Sequence, residues 1–321
     1  MDGGDVNVFA GILSVSLAKY VFAWWAQRSS QNFKLVGRVS GLYLHPVKSC
    51  KGIDLLGAEC TKLGLKVGDV GDRQWMVIRK DETFVSIREE PSMVFIEVSI
   101  QGNCLHLDAP GMETLKVPVH MPLNTTDVRN CIMRDMRCTG LDCGQKAADW
   151  MNRYLKKDGM RLVYCHPSLS KREMRTKKTY FPNRSRPGDQ ALYPDFSAFL
   201  LMSEASVKNV NSNLPEGKEV YMRTFRPNIV VSGCHAFAED SWQRVRIGNN
   251  QFVRLKHCQR CIMTTVNPET GIKDPDNEPL KSMSKYRQHP DFRTPVLGIN
   301  LAADVCGPIS VGDPVYAVLS D

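Results

Sequence analysis

From residue 36 onward, short runs rich in Val, Ile, Leu and aromatic residues alternate with Gly, Asp and Pro turns, at 36–44, 75–78, 94–100, 105–107 and 117–120. Runs of this kind predict an antiparallel sheet or barrel. The period then changes. Between 144 and 157, Ala147, Ala148, Met151, Tyr154 and Leu155 recur at helical spacing, which predicts a helix with one apolar face on the core. A polar stretch broken by Pro167, Pro182, Pro187 and Pro194 follows without periodicity and predicts a domain boundary or a long inserted loop. Beyond it, 199–202 predicts a buried strand, Ser203 an N-cap and 204–213 a helix. Strands are expected again at 228–232, 245–247, 252–255, 262–266 and 315–319. The class is mostly β with some α.

One apolar stretch belongs to neither pattern. Of the twenty residues 6–25, only Asn7, Ser14, Ser16 and Lys19 are polar. As a helix they span about 30 Å, one hydrocarbon thickness, so residues 1–30 are expected to form a single N-terminal membrane anchor. Trp24 and Trp25 would mark its interface, and Asp2 and Asp5 at its start argue against a cleavable signal. Arg28, Lys34 and Arg38 follow the stretch and no base precedes it, which predicts a cytosolic folded part. The sequons at Asn124 and Asn183 are accordingly expected to stay bare.

With 321 residues there is room for two domains, expected at 36–168 and 169–321. The net charge of +8 is concentrated: Lys171, Arg172, Arg175, Lys177, Lys178, Arg184 and Arg186 stand against one acid, Glu173. Such a run fits an acidic protein partner, an anionic lipid surface, an anionic ligand or simply a solvated loop; without stacking aromatics in number it does not read as a nucleic-acid module. Eleven cysteines, an odd number spread over a long chain, predict reduced thiols in the cytosol.

The sharpest local motif is His257-Cys258-Gln259-Arg260-Cys261. A zinc site needs further Cys or His at similar spacing, and no second C-x-x-C exists; a thioredoxin-like dithiol needs a helix next, where a β-branched run stands instead. Two core-filling thiols, a nucleophile beside Arg260 and a soft metal ligand all remain open. Imidazole bases for a nucleophile include His45, His106, His166, His235 and His257. A second motif, Tyr43 to Gly52, ends a strand in a turn carrying Lys48 and Ser49, donors that suit an anion. Arg73 and Arg226 stand at strand edges, where guanidinium groups can clamp an anion or face solvent.

Taken jointly, the segments 44–52, 71–75, 225–228, 257–266 and 311–315, in that order, resemble the molybdenum-cofactor MOSC family, and within it the mitochondrial amidoxime-reducing components. The resemblance implies a MOSC-type β-barrel plus an N-terminal β-rich domain, behind the anchor. It implies a molybdenum-pyranopterin cofactor, with Cys261 as the metal ligand and catalytic residue. Lys48, Ser49, Arg73, Ser197, Arg226, Asn228, Gln259 and Arg260 match cofactor-binding positions, Gln259 standing where a smaller polar residue is expected. The implied activity is reduction of N-hydroxylated compounds, amidoximes and hydroxylamines, with electrons from NADH through cytochrome b5 reductase and cytochrome b5. The implied location is the mitochondrial outer membrane, facing the cytosol, with the peroxisomal membrane as the other expectation. The competing readings are a zinc-binding interaction module and a MOSC protein that carries a persulfide on Cys261.

Overall fold

A computed structural model describes residues 32–134, 136–174 and 185–320. The expected anchor in 1–30, the bases from Arg175 to Arg184 and the sequon at Asn183 lie outside the described residues.

Seven strands close a barrel: Lys34–Leu44, Phe199–Ser203, Ile229–Ser232, Trp242–Ile247, Asn250–Gln259, Val296–Val305 and Pro314–Leu319. Around it, Ile229–Ser232 neighbours Phe199–Ser203, followed by Val296–Val305, Asn250–Gln259, Trp242–Ile247, Pro314–Leu319 and Lys34–Leu44, which pairs back with Ile229–Ser232. Closure leaves these strands no open edge. Phe199–Ser203 and Ile229–Ser232 run parallel, and the helix Glu204–Ser212 supplies the crossover that parallel pairing requires. Ser203 caps that helix as predicted, its hydroxyl accepting from the Ser206 N–H at 3.1 Å.

The N-terminal part holds a four-stranded sheet ordered Val128–Met133, Met136–Asp142, Arg161–Tyr164 and Trp75–Ile78, and a three-stranded meander of Glu97–Gln101, Cys104–Asp108 and Leu115–Pro118. The helix Gln145–Leu155 buries Ala147, Ala148, Trp150, Met151 and Leu155, the face the periodicity predicts. Two strands tie this part to the barrel. Lys34–Leu44 is early in the chain yet belongs to the barrel, and the late Pro308–Ser310 pairs with Gly57–Thr61. One apolar core accordingly runs through both parts, including Trp75 and Leu105 as well as Phe252 and Val315.

Three expectations are corrected. The run 262–266 is no strand: Ile262–Thr265 forms a 3-10 turn, because the Thr264 and Thr265 hydroxyls bond back to the carbonyls of Cys261 and Ile262 at 2.9 and 2.7 Å. The strand expected over 94–100 starts only at Glu97, since Pro91–Phe95 is also a 3-10 turn with proline in its first positions. Within the basic run, each described base is engaged by the protein itself. Lys171 donates to the carbonyls of His166, Pro167 and Leu169, Arg172 is buried against the carbonyls of Leu192, Pro194 and Phe196, and Arg186 pairs with Asp189 and Asp304.

Candidate cofactor site

The barrel strand Lys34–Leu44 runs into the turn at His45 and Pro46, which is locked to a second turn at 72–75. Arg73 N donates to His45 O at 2.7 Å, Trp75 N to Pro46 O at 3.0 Å, and Lys48 N to Trp75 O at 2.8 Å. Within this frame Ser49 and Arg73 take left-handed backbone, with φ of 74° and 48°. Arg226, ending the short helix Met222–Phe225, does the same at 55°. Such conformations cost a non-glycine residue about 1–3 kcal/mol and cluster at ligand sites. Here three of the sequence-predicted cofactor residues share them.

The polar groups between the turns form one network. Asp72 is buried, accepts from His45 N at 2.8 Å and pairs with the Arg73 guanidinium. Burial opposes ionisation of Asp72, but Arg73 and His45 outweigh it and hold the carboxyl down to about 2. Arg73 also reaches Asn228 Oδ1 at 3.4 Å and the Arg226 carbonyl at 3.0 Å. Asn228 completes the join by accepting from Leu200 N at 3.1 Å and donating to Tyr43 O at 3.3 Å. Lys48 is buried over the Phe84 ring, donates to Tyr193 O at 2.9 Å and pairs with Asp195, which Arg134 holds from the other side at 3.2 Å. Ser49 turns its hydroxyl to Val85 O at 3.3 Å.

Beside this network lies a cavity of about 300 Å³, with His45 and Arg226 among its walls together with Tyr43, Arg223, Met263 and Val266. Burial, reinforced by the charges of Arg73 and Arg226, drives His45 down to about 3, so the ring is neutral. Arg226 donates from Nη1 to Cys50 O at 2.7 Å, whereas its Nη2 is buried with no hydrogen-bond partner. Burial and then Arg73 push its pKa down to about 9, the mark of a cation short of a counter-charge. A buried, unpaired N–H donor costs about 1–3 kcal/mol, more when charged, and an anionic ligand offsets that cost.

Cys261 begins the Ile262–Thr265 turn, whose Met263 and following Val266 line the cavity, and its thiol is half-buried. Cys258, also half-buried, directs its sulfur toward the Gln259 carbonyl at 3.7 Å. Among the described residues, no group of three or more His, Cys, Asp or Glu side chains is arranged to hold a metal ion, whereas a structural zinc takes four protein ligands.

Other predicted residues stand elsewhere. The Arg260 side chain runs into the protein, donating from Nε to Leu297 O at 2.9 Å and from Nη1 to Phe225 O at 3.1 Å, with Nη2 against Met202 Sδ at 3.2 Å. Its backbone N–H is engaged as well, donating to Pro295 O at 2.8 Å. Ser197 is buried and donates to Phe199 O at 2.8 Å and meets Asn300 Oδ1 at 2.9 Å. Gln259 ends its strand opposite Val296. Sequence reasoning missed Asp72 and Asp195, the carboxylates that position Arg73 and Lys48; a single acid adjoining a turn arginine carries no pattern of its own.

The chain resembles known proteins along most of its length. Residues 36–158 match the model of the MOSC N-terminal beta barrel domain, and residues 188–316 match the MOSC domain. The chain is 37% identical over 315 residues to "Mitochondrial amidoxime reducing component 2" of Rattus norvegicus, covering 96% of this chain and 91% of that protein. It is 39% identical over 315 residues to "Mitochondrial amidoxime-reducing component 1" of Homo sapiens, covering 95% and 90%. The component 1 protein of Danio rerio is 37% identical over 317 residues, covering 98% and 94%.

Proposed function

Since the chain belongs to the MOSC family, in its amidoxime-reducing component branch, we propose that it is a molybdenum-cofactor-dependent oxidoreductase that reduces N-hydroxylated compounds, amidoximes and hydroxylamines. One observation carries the reading beyond family membership: Arg226 borders the cavity with a buried, unpartnered Nη2, next to the turn that Cys261 begins. An anionic, sulfur-ligated cofactor suits that donor set. Lys48, Ser49, Arg73, Arg226 and Asn228 would hold its phosphate and pterin end, the backbone at Gln259 and Arg260 would flank it, and the Cys261 thiolate would bind molybdenum as a soft ligand. When bound, the cofactor supplies two-electron removal of the substrate's N-bound oxygen as water.

The chain's own groups prepare the site. Asp72 fixes the Arg73 guanidinium, which in turn holds the Arg226 carbonyl, so the donors are placed before any ligand arrives. Burial lowers the Lys48 pKa, and Asp195 beside the head group opposes that shift. Neutral His45 adds no further positive charge to a wall that already carries Arg226.

Electrons come, in this reading, from NADH through cytochrome b5 reductase and cytochrome b5. The protein works at the mitochondrial outer membrane, its folded part facing the cytosol. The test is NADH-dependent reduction of a simple amidoxime by the three reconstituted proteins, comparing wild type with Cys261→Ala. The variant is expected to lose the activity; equal rates would remove Cys261 from its role.

A further inference from the structure

The hairpin formed by Val128–Met133 and Met136–Asp142 sets Cys131 directly opposite Cys138. Among the described strand pairings this is the one place where two cysteines face each other in register. The neighbouring Ile132 points its backbone outward, donating to Glu82 O at 2.8 Å and accepting from Phe84 N at 3.1 Å. Backbone direction alternates along a strand, so Cys131 and Cys138 form a hydrogen-bonded pair, with Cα atoms about 5.5 Å apart and side chains on one face. That separation lies inside the disulfide range, while the Cβ atoms must approach by about 1–2 Å to bond, which leaves the bond strained and easily reduced.

We propose that Cys131 and Cys138 are a reversible redox-modification site, closing to a cross-strand disulfide with a small disulfide oxidant of the glutathione type. Their surroundings assign the roles. Cys131 is fully buried, and its contact with Cys138, together with burial, raises its thiol. Cys138 is only half-buried; its contact with Cys131, opposed by burial and aided by Arg172, lowers its thiol. The Cys138 thiolate attacks one sulfur of the oxidant, forming a mixed disulfide and releasing one glutathione thiolate. Cys131 then gives its proton to solvent and attacks the Cys138 sulfur, releasing the second. Two protein thiols are oxidised and one glutathione disulfide is reduced to two glutathione molecules, which take up the two protons. The same hairpin carries Arg134 at its tip, bonded to the Asp195 that pairs with Lys48. Oxidation thus bears on an element that touches the proposed cofactor site; this consequence rests on the reading above, whereas the disulfide does not.

The experiment equilibrates the full chain in glutathione buffers from reducing to oxidising, blocks remaining thiols in acid, and maps the peptides by mass spectrometry. The expected result is a linked Cys131–Cys138 peptide that grows with oxidant, reopens with dithiothreitol, and lowers the eleven free thiols by two. Cys131→Ser should leave Cys138 as a glutathione adduct. Should that variant fail to fold, the wild-type map decides alone. Cys131 and Cys138 both fully blocked at the most oxidising point, or Cys138 joined to Cys165 instead, would overturn the proposal.

Discussion

Arg73 donates from Nη2 to the carbonyl oxygen of Arg226 at 3.0 Å, bringing together two arginines 153 residues apart in the chain. Both have left-handed backbone, and their charges repel, so the pairing costs the free protein energy that an anion would return. The Arg226 side chain is therefore read as serving a ligand more than the fold.

Arg226→Met tests that directly. Replacing that buried charge by an apolar side chain of similar length removes the cost of its desolvation but leaves the Cys50 carbonyl without its donor, so the cofactor-free protein should stay within about 2 kcal/mol of wild type. Molybdenum retained on purification should fall at least tenfold. Urea unfolding of the cofactor-free protein and metal analysis read the two effects separately. A loss of more than about 3 kcal/mol with molybdenum retained would assign Arg226 to the fold.

Arg260 should behave in the opposite way. Its guanidinium satisfies the buried carbonyls of Leu297 and Phe225, so Arg260→Met leaves acceptors unpaired. A loss of about 2–4 kcal/mol is expected in urea unfolding of the cofactor-free protein, with the denaturant slope unchanged.

Gly298 lies beside that contact with φ of 75°, and a Cβ there would sit 2.5 Å from Met202 Cγ and 2.7 Å from the Leu201 carbonyl oxygen. Gly298→Ala combines backbone strain with a clash against main chain, and should cost about 2–4 kcal/mol. Thermal unfolding measures it; an unchanged midpoint would contradict the packing described.

Stability should fall with acid in two steps. Burial lowers His45 to about 3, whereas an unfolded histidine titrates near about 6.5, so the unfolded chain gains a proton first. The contribution from neutral His45 is whole above about pH 6.5 and is lost as the pH drops toward about 3, at up to about 1.4 kcal/mol per unit. Asp72, held to about 2 by Arg73 despite its burial, adds a loss below about pH 3.8, where the unfolded carboxyl protonates. Urea midpoints between pH 7 and pH 4 should therefore fall in wild type and stay flatter in His45→Gln.

The sequence revealed the elements whose pattern is local. The helix Gln145–Leu155 shows its apolar face in the spacing of Ala147, Met151 and Leu155, and Ser203 announces its cap. The barrel strand Val296–Val305 was hidden, because Gly298 and Asn300 interrupt its β-branched residues and it is buried on both faces, with no alternation to see. The turn after Cys261 looked like a strand, since the bonds from the Thr264 and Thr265 hydroxyls to the backbone carry no periodic signal. Among the site residues, the structure gathers Lys48, Ser49, Arg73, Arg226 and Asn228 around two locked turns. It sends the Arg260 guanidinium into the fold, a direction that depends on tertiary contacts with Leu297 and Phe225.

The central claim is a bond between the Cys261 sulfur and molybdenum, and X-ray absorption at the molybdenum edge measures it most directly. Purified wild type should hold about one molybdenum per chain with three sulfur neighbours, two from the pterin dithiolene and one from Cys261, and Cys261→Ser should show two. An unchanged sulfur count in Cys261→Ser, or wild-type protein loaded with cofactor and showing only two, would contradict the account.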